Sequence, residues 1–159
     1  MKNKNIWVMI ANTEKAYIYS IAYEKTKFKL IKKLTHKESR LKKQDLVSDR
    51  PGHYVRSCNK SRGSYAETTD PKLLEIQNFV QQICCFLEKG RTNDLYVGLI
   101  IIANPRLYGL VKQSASKPLK KFIKYHIAKD YIGAQKRILQ SKWAPDLYHQ
   151  IRLIFLSSQ

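Results

Sequence analysis

Three short apolar runs open the chain, and each has the composition of a β-strand. Residues 6–11 and 16–22 are rich in β-branched and aromatic side chains, and the polar stretch 12–15 separates them. This pattern is typical of a β-hairpin. Residues 28–34 alternate apolar side chains with lysine, which predicts a third strand that is antiparallel, half-buried and basic on one face.

The second half of the chain alternates helical and strand patterns. Residues 69–71 form a typical helix start, with Asp70 as the cap and Pro71 in the first turn. Apolar side chains then recur at helical spacing to Leu87, and Gly90 is the expected stop. Residues 95–103 are apolar on both faces, as in a central strand covered by helices on each side. Further patterns predict a short helix at 107–111, a strand at 122–127 and closing helices at 134–139 and 145–156.

These elements predict an α/β fold with an open mixed β-sheet, in the order βββ, long loop, αβαβ, α. Residues 35–69 show no regular pattern, and so long a stretch in a compact domain indicates a function or disorder. The chain has 159 residues, of which 43% are apolar, enough for one core. We therefore expect a single domain over residues 1–159 with a long basic loop at about 35–69.

The charge balance indicates a polyanionic partner. Lysine and arginine number 30 against 12 acidic residues, a net charge of +18, and such an excess destabilises the fold through self-repulsion. RNA fits best because each neutralised phosphate releases condensed counterions. An anionic surface is the competing partner, although no apolar run approaches the roughly 18 residues of a membrane-spanning helix. The sequence gives no oligomeric state.

The amino terminus does not predict a secretion signal. Its apolar run at 6–11 is shorter than the hydrophobic region of a signal peptide, and the polar stretch 12–15 follows it without a cleavage site. The three cysteines, two of them adjacent, form no disulfide framework and suit a reducing compartment. We expect a cytoplasmic protein.

Cations in the long loop are the first candidates for RNA contact, because two tyrosines among them could stack on bases. They are Arg40, Lys42, Lys43, Arg50, Arg56, Lys60 and Arg62, with Tyr54 and Tyr65 between or beside them. A second cluster comprises Lys117, Lys120, Lys121 and Lys124. Arg106 follows the apolar strand at 95–103, where α/β sheets commonly place ligand-binding groups. A solvated charged surface without a defined partner is the alternative for each set.

Other residues of the loop suit a structural role. Asp45 or Asp49 could hold Arg50, while Pro51 and Gly52 form a turn. The structural motif comprises Asp45, Ser48, Asp49, Pro51, Gly52, Asp70 and Pro71.

An enzymatic alternative is a metal-dependent nuclease that uses Asp45, Asp49, Glu67 and Asp70 as ligands. Asp70 is better explained as a helix cap. His36, His53 and Cys58 lack zinc-site spacing, so we expect no metal. The sequence has no phosphate-binding loop, dinucleotide fingerprint or nucleophile elbow, and we expect no cofactor and no catalysis.

Several segments together resemble the bacterial host attachment protein family, described as required for attachment to host cells. They are IWVMIAN at 6–12, DLVSDRPG at 45–52, ETTDPK at 67–72, NPRLYGLVK at 104–112 and SKPLKK at 116–121. The resemblance runs in the same order from about Trp7 to Asp130, and residues 134–143 depart from it. It implies an accessory role in attachment to host cells or surfaces.

That family in turn looks like the middle domain of archaeal and eukaryotic class I translation release factors. The likeness implies three leading strands, a long functional loop and then alternating helices and strands. In release factors the loop carries a Gly-Gly-Gln tripeptide that promotes peptidyl-tRNA hydrolysis, whereas this loop has Ser61, Arg62, Gly63 and Ser64. The hypothesis is therefore a non-catalytic RNA-binding protein that meets ribosomal or transfer RNA.

Overall fold

The first two apolar runs form a hairpin that lies at the centre of the sheet. Strand β1 (Asn5–Ala11) pairs antiparallel with β2 (Lys15–Ala22). The Asn12 carboxamide oxygen accepts the backbone N–H groups of Glu14 at 2.9 Å and Lys15 at 2.8 Å, which closes the turn. The structure is a computed structural model that describes residues 5–22, 28–36, 70–130, 132–133, 149, 151–154 and 156.

Three further strands complete an open mixed sheet. They are β3 (Lys29–Thr35), β4 (Gly98–Ile102) and β5 (Ile123–Ile127). The strand order is β3-β2-β1-β4-β5. The pairs β1–β2 and β2–β3 are antiparallel, while β1–β4 and β4–β5 are parallel. The predicted α/β class and open mixed sheet are confirmed.

Helix α1 (Pro71–Thr92) begins where the sequence predicts but passes its predicted stop. The Asp70 side chain caps it by accepting the Lys72 N–H at 3.2 Å. Gly90 is not the end of the helix. A Cβ atom there would lie 2.3 Å from the Trp7 ring, and Trp7 stacks against Phe86 and Tyr96. Gly90 therefore permits close packing of α1 on the sheet.

Two capped helices connect β4 to β5. Asn104 caps α2 (Pro105–Ser114), and its side-chain oxygen accepts the Leu107 N–H at 2.8 Å. Ser116 likewise caps α3 (Lys117–Phe122). Helix α3 is absent from the sequence prediction, although a serine cap followed by proline in the first turn is a typical start. Strand β5 consequently begins one residue later than predicted.

The sheet has an apolar cluster on each face. On one face, α1, α2 and α3 pack against alternate residues of β1, β2 and β4, including Trp7, Ile18 and Leu99. On the other, the helical residues Ile151 and Ile154 pack against residues such as Ile6, Val8 and Ile100. Helix is thus confirmed for residues 151–154 of the predicted 145–156 segment. The predicted helix at 134–139 lies outside the described residues.

Strand β3 is an edge strand and is more exposed than predicted. Its residues are exposed except for the partly buried Leu34. Leu30 is 49% exposed and Ile31 is 37% exposed. Ile18 pairs with Lys32 and Tyr19 with Leu30, so Ile31 is an extra residue in a β-bulge. The prediction that β3 is half-buried is wrong for two reasons. The bulge interrupts the alternation of its side chains between the two faces, and no described strand pairs with its outer edge.

Candidate polyanion-binding surface

Residues 105–127 form a continuous unit that we call the basic flank. It consists of α2, α3 and β5 and contains no acidic residue. All six of its lysine and arginine residues are exposed, namely Arg106, Lys112, Lys117, Lys120, Lys121 and Lys124. A cationic surface with no intervening carboxylate is suited to contact with consecutive phosphates.

Short helices keep these cations on the surface. Helix α3 has six residues, and Leu119 is the one that it buries. Its lysines at 117, 120 and 121 are exposed around that anchor. The predicted Lys117, Lys120 and Lys121 cluster therefore lies on one helix, with Lys124 just beyond it on β5.

Arg106 does not join this cluster. It lies in the first turn of α2, and the α3 lysines follow the other end of that helix. Helix α2 has 10 residues, so at about 1.5 Å per residue its ends are roughly 15 Å apart. A ligand that contacts both ends must be extended, as a nucleic acid strand is.

The acidic residue nearest the flank is already paired. Glu88 of α1 accepts the Arg91 Nη2–H at 2.7 Å and the Ser116 hydroxyl at 3.2 Å. The hydrogen bond from Arg91 lowers the pKa of the Glu88 carboxyl. Glu88 thus links α1 to the cap of α3 while Arg91 compensates its negative charge.

His36 and Asp70, which flank the predicted long loop, lie at the opposite end of α2 from the α3 lysines. His36 is buried, and its Nδ1 donates to the Thr13 carbonyl at 3.1 Å, since a carbonyl can only accept. Its ring stacks on Phe79 of α1 at 5.2 Å between centroids. Its Nε2 is 3.9 Å from the Glu75 carboxylate. Arg106 lies at the same edge of the sheet, after the carboxyl end of β4.

The predicted loop sites lie outside the described residues. This applies to Arg40, Lys42, Lys43, Asp45, Ser48, Asp49, Arg50, Pro51, Gly52, Arg56, Lys60, Arg62 and Glu67. Asp70 and Pro71 are described, and the predicted capping role of Asp70 is confirmed. Within the described ranges, no group of three or more histidine, cysteine or acidic residues could hold a metal ion.

The thiol of Cys84 is buried and is not suited to act as a nucleophile. Burial raises its pKa to about 12, and its sulfur donates to the Val111 carbonyl at 3.7 Å. Because the thiolate is the reactive form, Cys84 is a packing residue between α1 and α2.

Sequence reasoning missed a pair of stacked rings on the flank. Tyr108 of α2 and His126 of β5 have centroids 3.7 Å apart and an interplanar angle of 7°. His126 Nε2 lies 3.0 Å from the Ala103 carbonyl oxygen. The available signal was an aromatic residue beside cations in both NPRLYGLVK and IKYHI.

A family model described as "Protein required for attachment to host cells" matches residues 7–142. The chain belongs to the host attachment family. The match confirms the family resemblance and covers most of the sheet and the whole of the basic flank. It extends through residue 142, so the predicted departure from the family at residues 134–143 is wrong up to that residue. No curated protein matches the chain.

Among solved structures, this chain is similar to a chain titled "Archaeal protein". The two are 12% identical, with a TM-score of 0.46. The match covers 88% of this chain and 34% of the other, so this chain spans about a third of that protein's length. At this level of similarity the match carries no argument about release factors, and that relation stays a prediction. None of the described helices has the length and apolar character needed to cross a membrane.

Proposed function

We propose that this protein binds RNA through its surface cations and catalyses no reaction of its own. The observation that carries the proposal is the basic flank, with six exposed cations and no carboxylate over 105–127. A phosphate backbone neutralised by such a surface releases counterions, which favours binding. The net charge of +18 acts in the same direction at longer range.

An alternative role for the lysines of the flank is to prevent another chain from pairing with the edge of the sheet, but this role accounts for only one of them. Lysine on an edge strand discourages pairing with another chain, and Lys124 on β5 suits that purpose. Lys117, Lys120 and Lys121 lie on α3. Their spacings of three and four residues place like charges together, which destabilises a helix by about 0.2–0.5 kcal/mol per pair. Lys117 in addition lies in the first turn of α3, where the helix dipole disfavours a cation, so its position supports a role in binding.

The segment 37–69 of the predicted long loop contains further cations that could contact the same partner. Its flanking residues, His36 and Asp70, lie at the edge of the sheet that carries Arg106. Cations of the loop and of the flank could therefore contact separate parts of one large RNA. Ribosomal or transfer RNA is the proposed class, and a cytoplasmic location follows from that proposal.

The test is binding to ribosomes and to isolated RNA across a salt series. The flank variant is Lys117→Gln/Lys120→Gln/Lys121→Gln. The matched control, Lys29→Gln/Lys32→Gln/Lys33→Gln, removes equal charge from exposed β3. We expect the flank variant to weaken binding and to reduce the slope of log affinity against log salt by up to about 2, at roughly 0.7 per lost contact with single strands.

Two outcomes would contradict this assignment. Equal losses in the two triple variants would show that net charge alone matters. No binding to either target at low salt would exclude RNA, and binding to anionic vesicles would then become the next measurement. A third variant, Arg50→Ala/Arg56→Ala/Lys60→Ala/Arg62→Ala, tests the loop in the same assay, where we expect a loss of ribosome binding.

Family membership supports a second proposal, an accessory role in attachment to host cells. An RNA-binding protein could support attachment by controlling the expression of surface components. Labelling of intact cells with an impermeant reagent tests this indirect route. We expect the protein to be protected from the reagent, and labelling without lysis would instead support a direct role at the surface.

A further inference from the structure

We propose that the stacked rings of Tyr108 and His126 form a shelf for the base of an unpaired nucleotide, which makes single-stranded RNA the preferred ligand. This inference rests on the proposed RNA binding and specifies its ligand. Base stacking on aromatic rings contributes about 1–3 kcal/mol per base and tolerates any base, because every base has a π-face.

The stack lies at the margin of the core, where Tyr108 packs against the cluster that contains Trp7 and Leu99. Trp7 and Tyr96 also stack, but both are fully buried between α1 and the sheet. Tyr108 and His126 are each only partly buried. His126 lies on β5, the last strand on that side of the sheet within the described residues. The core cluster contacts Tyr108 on one side, and the proposed base would extend the stack on the side that faces solvent.

The backbone fixes the orientation of the His126 ring. Its Nε2 lies 3.0 Å from the Ala103 carbonyl oxygen, which can only accept, so Nε2 carries a proton. In the neutral ring Nδ1 is then an acceptor. It is suited to accept a hydrogen bond from a ribose 2′-hydroxyl or from an exocyclic amine of a base. Hydrogen bonding at the 2′-hydroxyl would favour RNA over DNA.

A cation and open space adjoin the shelf. Lys112 is exposed and follows Tyr108 by four residues, so it lies one turn along the same face of α2. Gly109 has no atom within 4 Å of the position that a Cβ would occupy. A base on the shelf would therefore place its phosphate near Lys112, from which α2 leads to the lysines of α3. Single-strand binding sites combine these same elements, a cationic track and stacking rings.

The experiment compares a single-stranded RNA oligonucleotide that contains 2-aminopurine with an unlabelled duplex carrying the same number of phosphates. With wild-type protein we expect the 2-aminopurine fluorescence to change on binding, because stacking alters its emission. Tyr108→Leu keeps an apolar side chain but removes the ring. We expect it to weaken single-strand binding roughly 5- to 150-fold and to leave duplex binding unchanged. Tyr108→Phe keeps the ring and is expected to bind like wild type.

The outcomes separate the shelf from the proposed function. Single-strand binding by wild-type protein without any change in 2-aminopurine fluorescence would overturn the shelf and leave RNA binding intact. The same conclusion follows if Tyr108→Leu, with an unchanged melting temperature, binds the single strand as wild type does. Failure of wild-type protein to bind either RNA would remove both proposals. Unchanged duplex binding by Tyr108→Leu is the control for its folding.

Discussion

Helix α1 and the basic flank are of nearly equal length and pack against the same core cluster, but their surfaces differ. Helix α1 has 22 residues and carries both signs of charge. Its charged residues are Lys72, Glu75, Glu88, Lys89 and Arg91. The flank, residues 105–127, carries six cations and no carboxylate. The net charge of the flank is therefore more positive than that of α1.

Burial explains why the two regions can differ in this way. Helix α1 buries a full stripe comprising Ile76, Phe79, Val80, Ile83, Cys84, Leu87 and Gly90. Helix α2 buries Leu107 and Val111, and α3 buries Leu119. The flank is therefore anchored by few side chains, and most of its surface is available for charge. Helix α1 therefore packs closely on the sheet, whereas the flank leaves its cations exposed.

The largest effect is expected where α1 contacts the sheet. Gly90→Ala would place a Cβ 2.3 Å from the Trp7 ring, and overpacking of this kind destabilises proteins by about 1–3 kcal/mol. Gly109→Ala is the matched change on α2, where a Cβ would meet open space. There we expect stabilisation of about 0.5–1 kcal/mol, because alanine favours a helix. Urea unfolding measures both changes.

The two glycine variants also provide a direct test of the comparison. If Gly90→Ala were as stable as wild type, the close contact between α1 and Trp7 would not be a constraint. Loss of stability in Gly109→Ala would mean that the outer face of α2 is covered.

A smaller effect is expected where α1 meets the flank. Glu88→Gln removes the carboxylate that Arg91 and Ser116 contact. Because the pKa of Glu88 is lowered in the folded protein, its contribution is present above the ordinary glutamate pKa of about 4.3 and is lost as the pH falls through the lowered value. We expect Glu88→Gln to be less stable than wild type at pH 7 and to approach it near pH 3. A difference that stays constant with pH would contradict the ion-pair explanation.

The smallest effect on stability is expected within the flank. Lys117→Glu replaces a cation in the first turn of α3 with an anion, which a helix amino terminus favours. We expect stabilisation by a few tenths of a kcal/mol at low salt, together with weaker RNA binding. Lys112→Glu makes the same charge change in the last turn of α2. It should weaken RNA binding too but lower stability, as measured by urea unfolding and salt-dependent binding.

The sequence predicts the sheet and α1 well because their apolar spacing is regular. Residues 6–11 of β1 and all five residues of β4 are consecutive apolar residues, and all of them are buried. It fails where local signals compete with tertiary contacts. Gly90 resembles a helix stop but lies against Trp7, and β3 has strand alternation but lies at an edge with a bulge. Helix α3 has too few apolar residues for its periodicity to be visible.

The cations of the candidate site could be predicted, but their arrangement could not. Lys117, Lys120 and Lys121 are evident from composition, whereas the distance between them and Arg106 depends on the length of α2. The contact between Tyr108 and His126 requires the pairing of Ile101 with His126 across β4 and β5. No local spacing in the sequence contains that information.

The packing around His36 has a consequence for how this family can diversify. Because His36 lies beside Glu75 of α1, the end of β3 and the start of α1 are close together. The entropy lost on closing a connection between two such points is expected to grow only with the logarithm of its length, by about 0.6 kcal/mol for each doubling. Insertions or deletions between His36 and Asp70 would therefore change the free energy of folding little. Relatives could acquire new binding properties in this segment while keeping the same sheet and helices.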